Sequence, residues 1–387
     1  MRVENKICFY LNHTRDVTMY SDFFSNLQNK NVCFIFNDLF KEKINNNANE
    51  FKRIKFFLNH YFPKYNKVYK LSEKLGKIKF KILISAGDIP TSSLTILSIL
   101  KYVIKKIFFI KNPEIYSRKH IEKYLSKISI RFPNNLDRNM KYFPDKNWEN
   151  VFDIFFLSFE KERSLIQKKF KKKKIFNIGF PRLDKKFKMP EIKNKIIKEF
   201  KLNKNKKIIF YLPTLSKQKR EIVINYINQL SRLSKKYNVI IRPHPKDQDL
   251  HKEKFKLFKK SKIKLDLKNG RDTSHLILSS DLVISDGGST IVEAIYLGKK
   301  ILFHNWMKFE NKKNLEKRFT EKERLDKIFS KRIDLVDNLD DFKKIDDLLN
   351  KKNSLLKITK LRNSYFISNK KINPINLIKK IYDNKKI

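Results

Sequence analysis

A chain of 387 residues can bury two ordinary cores, and its 41% hydrophobic and 13% aromatic content excludes wholesale disorder. The formal net charge of +49, from 89 Lys+Arg against 40 Asp+Glu, draws polyanions: nucleic acid, an anionic membrane face or phosphorylated substrates. Lysines on neutral surface sites explain much of the same charge without a partner.

Two cysteines, Cys8 and Cys33, lie inside apolar runs and read as core residues; they offer no disulfide framework or zinc spacing, which fits a reducing compartment. The apolar run of MRVENKICFYLNH is too short for a signal peptide, and no stretch approaches the ~20 apolar residues of a membrane span. The expected location is cytoplasmic, with peripheral contact to the inner face of the membrane.

In chain order, strands are expected at Ile7–Leu11, Val32–Phe36, Phe80–Ser85, Ile107–Ile110, Ile128–Phe132, Val151–Phe159 and Ile175–Gly179. Helical patterning separates them over Thr18–Leu27, Lys41–His60, Ser93–Ile104, Pro113–Ser126 and Glu160–Lys169. Residues 185–205 are Lys-rich and weakly helical, and read as a connector. The pattern then restarts with strands at Lys207–Leu212, Val239–Arg242, Ile263–Leu267, Leu282–Ile284 and Lys300–Phe303. Helices are expected at Arg220–Lys236, 252–259, Thr273–Ser279, Ile291–Leu297 and, in the tail, Leu339–Leu349, Ser354–Ser364 and Pro374–Tyr382.

Alternating strands and helices are the signature of parallel sheets covered on both faces. The expected fold class is therefore α/β: two tandem Rossmann-like, doubly wound domains facing a cleft. The boundaries read as an N-terminal, acceptor-side domain at 1–184, the connector, a nucleotide-donor domain at 206–366, and a last helix in 367–387 that returns to the N-terminal domain. Ligands of such sheets bind at the carboxyl ends of strands. That selects His13, Asp88, Thr214, His244 and the turn from Asp286 to Thr290.

The stretch Asp281–Asn305 is the densest of these. Three of the chain's seven glycines, Gly287, Gly288 and Gly298, fall in it. A buried strand leads into Ser285-Asp286-Gly287-Gly288, and Ser289 or Thr290 is placed to cap the helix that follows. Free N–H groups and a helix dipole aimed at one spot suit phosphate. An ordinary βαβ crossover turn would look the same.

Arg242-Pro243-His244-Pro245 is stiffened by two prolines. Its Arg can clamp phosphate oxygens and its His can donate to phosphate or move a proton; a rigid turn with a packed His is the plainer reading. Glu293, one turn into the helix, can reach ribose hydroxyls or simply complement the dipole. Thr214 can offer a hydroxyl and an N–H to phosphate. His13, after the first strand, is either a catalytic group or an incidental loop residue. No metal-ligand spacing is present at these strand ends, so no cofactor or metal is expected.

Taken together, Ile209-Phe-Tyr-Leu-Pro-Thr214, Ile241-Arg-Pro-His-Pro245 and Leu282-Val-Ile-Ser-Asp-Gly-Gly-Ser-Thr290 resemble the CDP-glycerol glycerophosphotransferase family. Ser158 and Glu160, Gly179-Phe-Pro-Arg-Leu-Asp184 and the opening Cys8–Tyr20 extend the likeness over most of the chain. The resemblance implies the GT-B fold and synthesis of teichoic-acid-like surface polymer or capsule. It places nucleotide and diphosphate on Arg242, His244, Ser285, Asp286, Ser289 and Thr290, with an acceptor hydroxyl attacking the phosphorus next to glycerol. The implied partners are a CDP-activated donor, a lipid-linked or saccharide acceptor and an anionic membrane surface; no specific nucleic acid is expected, since no stacking pattern accompanies the lysines. The family's His-Gly pair late in the N-terminal half has no counterpart here: Phe132-Pro133-Asn134-Asn135 stands in its place. The turn with Glu293 is also similar to that of nucleotide-sugar glycosyltransferases and UDP-N-acetylglucosamine 2-epimerases, which makes a GT-B glycosyltransferase using a UDP- or CMP-sugar the alternative.

Overall fold

The computed structural model describes, with short interruptions, residues 2–38, 47–86, 121–133, 151–184, 191–305, 329–366 and 371–384. The expected elements at Ser93–Ile104 and Ile107–Ile110, and the residues His13, Asp88, Asn134, Asn135 and Glu160, lie outside them.

The chain forms two compact units. One contains the described residues up to 133 together with 151–182 and 371–384; the other contains 183–366. In the first, the strands are β1 (Arg2–Leu11), β2 (Val32–Phe36), β3 (Val68–Lys70), β4 (Ile78–Ser85), β5 (Ser126–Arg131), β6 (Ile154–Leu157) and β7 (Lys174–Asn177). They form one sheet in the order β3-β2-β1-β4-β5-β6-β7. In the second, β8 (Ile208–Tyr211), β9 (Asn238–Ile241), β10 (Lys264–Leu265), β11 (Leu282–Ser285), β12 (Ile301–His304) and β13 (Asp334–Val336) order as β10-β9-β8-β11-β12-β13. Every pairing is parallel.

Central strands buried on both faces need continuous apolar runs. VCFIF of β2, IFFL of β6 and IIFY of β8 are such runs, buried at every position. The first unit's core is aromatic: Phe9 meets Tyr20, Phe24, Phe34 and Phe62 at ring-centroid distances of 5.0 to 6.4 Å. The helix Pro374–Tyr382 joins this core through Leu377, Ile378 and Ile381. Asn373 caps it by accepting from the Ile375 and Asn376 N–H groups. Tyr382 then donates to Asn5 O at 3.0 Å, so the late helix is stitched to β1.

Several expectations needed correction. The segment read as a connector holds a helix, Ile192–Glu199, whose Ile192 and Ile196 are buried within the second unit. Strands β3 and β13 were missed, because VYK and DLV are half-exposed edge strands with no apolar run. The helix expected to reach Ser126 ends at Leu125, where β5 begins. The strand at Ile263–Leu267 shrinks to Lys264–Leu265.

Candidate functional site

Strand order reverses in the second unit between β8 and β11, and ligands of open α/β sheets bind outside the carboxyl ends of strands at such a point. Two segments emerge there side by side: Leu212-Pro213-Thr214 after β8 and Asp286-Gly287-Gly288 after β11.

Buried side chains lock them together. Ser285 donates to Leu212 O at 2.8 Å and to Gly287 O at 3.1 Å. The Asp286 carboxylate, 3% exposed, accepts the Thr214 N–H at 2.6 Å. Ser285 and Asp286 therefore act on the protein's own backbone, holding the two segments in register.

Gly287 and Gly288 make the turn with φ of +140° and +74°. With ψ of −166°, Gly288 sits in a region open almost only to glycine, and a Cβ there would stand 3.1 Å from Thr214 Cγ2. The backbone conformation, more than space, reserves both positions for glycine. Gly288 is also the N-cap of the helix Ser289–Tyr296, which has no side-chain cap. Ser289 and Thr290 belong to the first helical turn and are not its caps. Gly287, Gly288, Ser289, Thr290, Thr214 and Glu293 are all partly exposed beside the buried Ser285 and Asp286. The apolar flank of this helix, Ile291, Val292, Ala294 and Ile295, is buried and fixes its direction. Its last residue, Tyr296, donates to Asp184 Oδ1 at 2.7 Å, which gives the end of the Gly179–Asp184 motif a structural role.

After β9, the next strand outward, comes Arg242-Pro243-His244-Pro245. Arg242 is engaged by the protein's own groups. Its guanidinium pairs with Asp266, donates to Arg271 O at 3.0 Å and reaches Lys268 O at 3.5 Å. Arg271 Nε lies 3.0 Å from the same carboxylate and also pairs with Glu199. Arg242 thus anchors the segment after β10, and its planar fork is turned to that carboxylate and those carbonyls.

His244 is placed differently. Its Nδ1 accepts the Lys246 N–H at 3.2 Å, which assigns the proton of the neutral ring to Nε2. Burial, then the charges of Lys246, Lys254, His251 and Arg242, lower its pKa to about 4. At neutral pH it is an uncharged N–H donor in a cationic setting, suited to a phosphoryl oxygen and unsuited to take a proton at Nε2.

Below these loops lie residues that the sequence reading passed over. Tyr211 and His304 share a buried hydrogen bond, Oη to Nδ1, of 3.0 Å. Lys254, 4% exposed, faces Asp247, which is fully buried. Among the described residues no group of His, Cys, Asp and Glu could hold a metal ion.

The sequence model of the CDP-Glycerol:Poly(glycerophosphate) glycerophosphotransferase family matches residues 134–366, more than half of the chain. The chain belongs to this family. Thr214, Arg242, His244 and the turn from Ser285 to Glu293 all fall within the match. No curated protein matches the sequence. Among solved structures, the wall teichoic acid polymerase TagF, a variant soaked with CDPG, aligns with a TM-score of 0.59 at 16% identity, covering 99% of this chain and 90% of that chain. UDP-GlcNAc 2-epimerase from Neisseria meningitidis, bound to UDP-GlcNAc, gives 0.56 at 13% identity with full coverage of both chains, 100% and 100%. A putative UDP-N-acetylglucosamine 2-epimerase from Listeria monocytogenes gives 0.54 at 12%, covering 100% of this chain and 98% of that one. These likenesses show the fold, GT-B, with its two doubly wound α/β domains. Family membership makes the protein a CDP-glycerol glycerophosphotransferase-type enzyme.

Proposed function

We propose that CDP-glycerol binds at the carboxyl ends of β8 and β11, with its diphosphate against the Gly287-Gly288 turn and the first turn of the helix Ser289–Tyr296. The observation that carries this reading is the turn itself: two left-handed glycines feeding a helix without a side-chain cap, at the point where the strand order reverses. Thr214 supplies its hydroxyl from one side, and Ser289 and Thr290 supply hydroxyl and N–H donors from the other. His244 donates Nε2–H to a phosphoryl oxygen, where negative charge grows as the leaving group departs. Glu293 meets the ribose hydroxyls. Arg242 supports the loop from behind.

In the transfer, an acceptor hydroxyl oxygen bonds to the phosphorus that carries glycerol. The bond from that phosphorus to the oxygen of the cytidylate breaks, and CMP leaves with the electron pair. The hydroxyl proton passes to a base, for which the sequence offers His13. The acceptor is a growing polyol-phosphate or lipid-linked saccharide chain of teichoic-acid or capsule type, met at the inner face of the membrane. No helix among the described residues is long and apolar enough to cross a membrane. The charge of +49 would draw the protein to anionic lipid.

The test is nucleotide release. Purified protein is incubated with an acceptor and, separately, with CDP-glycerol, other CDP-polyols, CMP-sugars and UDP-sugars. CMP release from CDP-glycerol, lost in Gly288→Val, is the expected result. Release of UDP from a UDP-sugar, with CDP-glycerol untouched, would overturn the assignment.

A further inference from the structure

The helix Lys252–Lys260 reads KEKFKLFKK, and on paper its lysines are interchangeable solvated charges. In the structure one of them differs. Lys254 is 4% exposed, while the other lysines among the described residues are mostly at the surface. Its ammonium reaches Thr214 O at 3.3 Å, Ser216 O at 3.4 Å and the Asp247 carboxylate at 3.3 Å, one partner for each of its three N–H donors. Asp247, itself fully buried, accepts the His244 N–H at 3.2 Å and donates its own N–H to His244 O at 2.8 Å. On the other side, the Thr214 N–H is held by Asp286, which leads into Gly287 and Gly288.

A hydrogen-bonded path therefore runs from the glycine turn through Asp286, Thr214, Lys254 and Asp247 to His244. We infer that Lys254, paired with Asp247, is a positioning residue for phosphoryl transfer: it fastens the loop after β8 to the loop after β9, so that Thr214 and His244 address one diphosphate together. The inference rests on the donor-site reading above. Lys254 does not itself touch the donor, because its ammonium is closed off by the three partners. Such an arrangement sharpens geometry and adds little direct binding.

The groups that face His244 are Arg242, Lys246, His251 and Lys254, which disfavour its protonation, and Asp247, which holds its backbone. Lys254 thus also contributes to keeping the imidazole neutral.

Two variants test this. Lys254→Met/Asp247→Leu removes both buried charges, and apolar replacement of a buried ion pair often leaves stability unchanged. The expected result is a melting temperature close to wild type, CMP affinity by calorimetry within about threefold, and saturated CMP release from CDP-glycerol reduced at least about tenfold. In Lys254→Met alone, with Asp247 kept, the imidazole of His244 followed by NMR titrates at higher pH than in the wild type; an unchanged titration would remove the electrostatic part of the inference. A folded double variant with wild-type turnover overturns the proposal. The donor-site reading is checked separately in the wild type: CDP-glycerol should shift the His244 resonances. Should they stay still, that reading fails whatever Lys254 does; should they move while the double variant turns over normally, only the role of Lys254 is lost.

Discussion

The two sheets share a strand order around their reversal points, yet the two points are finished in opposite ways. Between β1 and β4 the described residues fill the space with their own side chains. Tyr20, fully buried, donates to Tyr10 O at 3.0 Å and reaches Ile84 O at 3.4 Å. Asp16 accepts the Asn12 N–H at 2.7 Å, Asn37 donates to Asn12, and Ser85 donates to the buried Glu122. Between β8 and β11 the corresponding place is kept clear by two glycines, and its polar backbone is half-exposed. Topology offers the same reversal twice, and the side chains decide which one is filled and which is left partly exposed.

Changes in the second unit should therefore act on turnover, and changes in the first on stability. The largest effect is expected for His244→Ala. Loss of one donor to the developing phosphate charge should cut CMP release by about 10²–10³-fold with melting little altered. Wild-type turnover in this variant would reduce His244 to loop packing.

Glu122 tests the filled side. It is fully buried, its Oε2 has no hydrogen-bond partner among the described residues, and burial raises its pKa to about 7. A carboxyl whose folded pKa lies above its unfolded value favours folding while protonated. That contribution is complete below about pH 4.5 and is lost as pH rises to about 7, to the extent of about 3 kcal/mol. Compared with Glu122→Gln in denaturant titrations of the N-terminal unit, the wild type should lose relative stability over that window. A difference that stays flat with pH would refute the burial of a neutral carboxyl.

Arg242→Ala is the exception that sharpens the comparison, since it changes the second unit without touching the crevice. It should cost about 1.5–3 kcal/mol of that unit's stability through the lost charged hydrogen bonds, softened because Arg271 still pairs with Asp266. Affinity for CDP in the folded fraction should change less than about threefold, or about 0.6 kcal/mol. A hundredfold loss of affinity would restore this arginine to the diphosphate. The smallest effect belongs to Asn373→Ala, which removes the cap of the helix Pro374–Tyr382 and should cost about 1 kcal/mol, seen as faster amide exchange at Leu377 and Ile378.

What was legible in the sequence follows from range. Leu282–Ser285 and Ile208–Tyr211 announce themselves because a doubly buried strand must be apolar at each position, and the glycine turn because Gly287 and Gly288 are rare here and adjacent. Roles set by distant partners were not legible. Arg242 and Asp266 are 24 residues apart, and nothing local marks the aspartate as buried. Lys254 is one lysine among many until the carbonyls of Thr214 and Ser216 select it. The helix start was misplaced by two residues because Ser289 and Thr290 are good caps in general, while Gly288 holds a backbone angle that neither could adopt.

The stitching of Pro374–Tyr382 into the first unit has a consequence for how the molecule is made. Leu377, Ile378 and Ile381 complete a core that includes Arg2–Leu11, so during synthesis this sheet waits for residues made after the second unit. The described residues of the second unit, all between 183 and 366, can close while the first unit is still open on the ribosome. A messenger cut short before this helix would yield a protein with a finished second unit and an aromatic core laid bare, a ready substrate for chaperones and proteases.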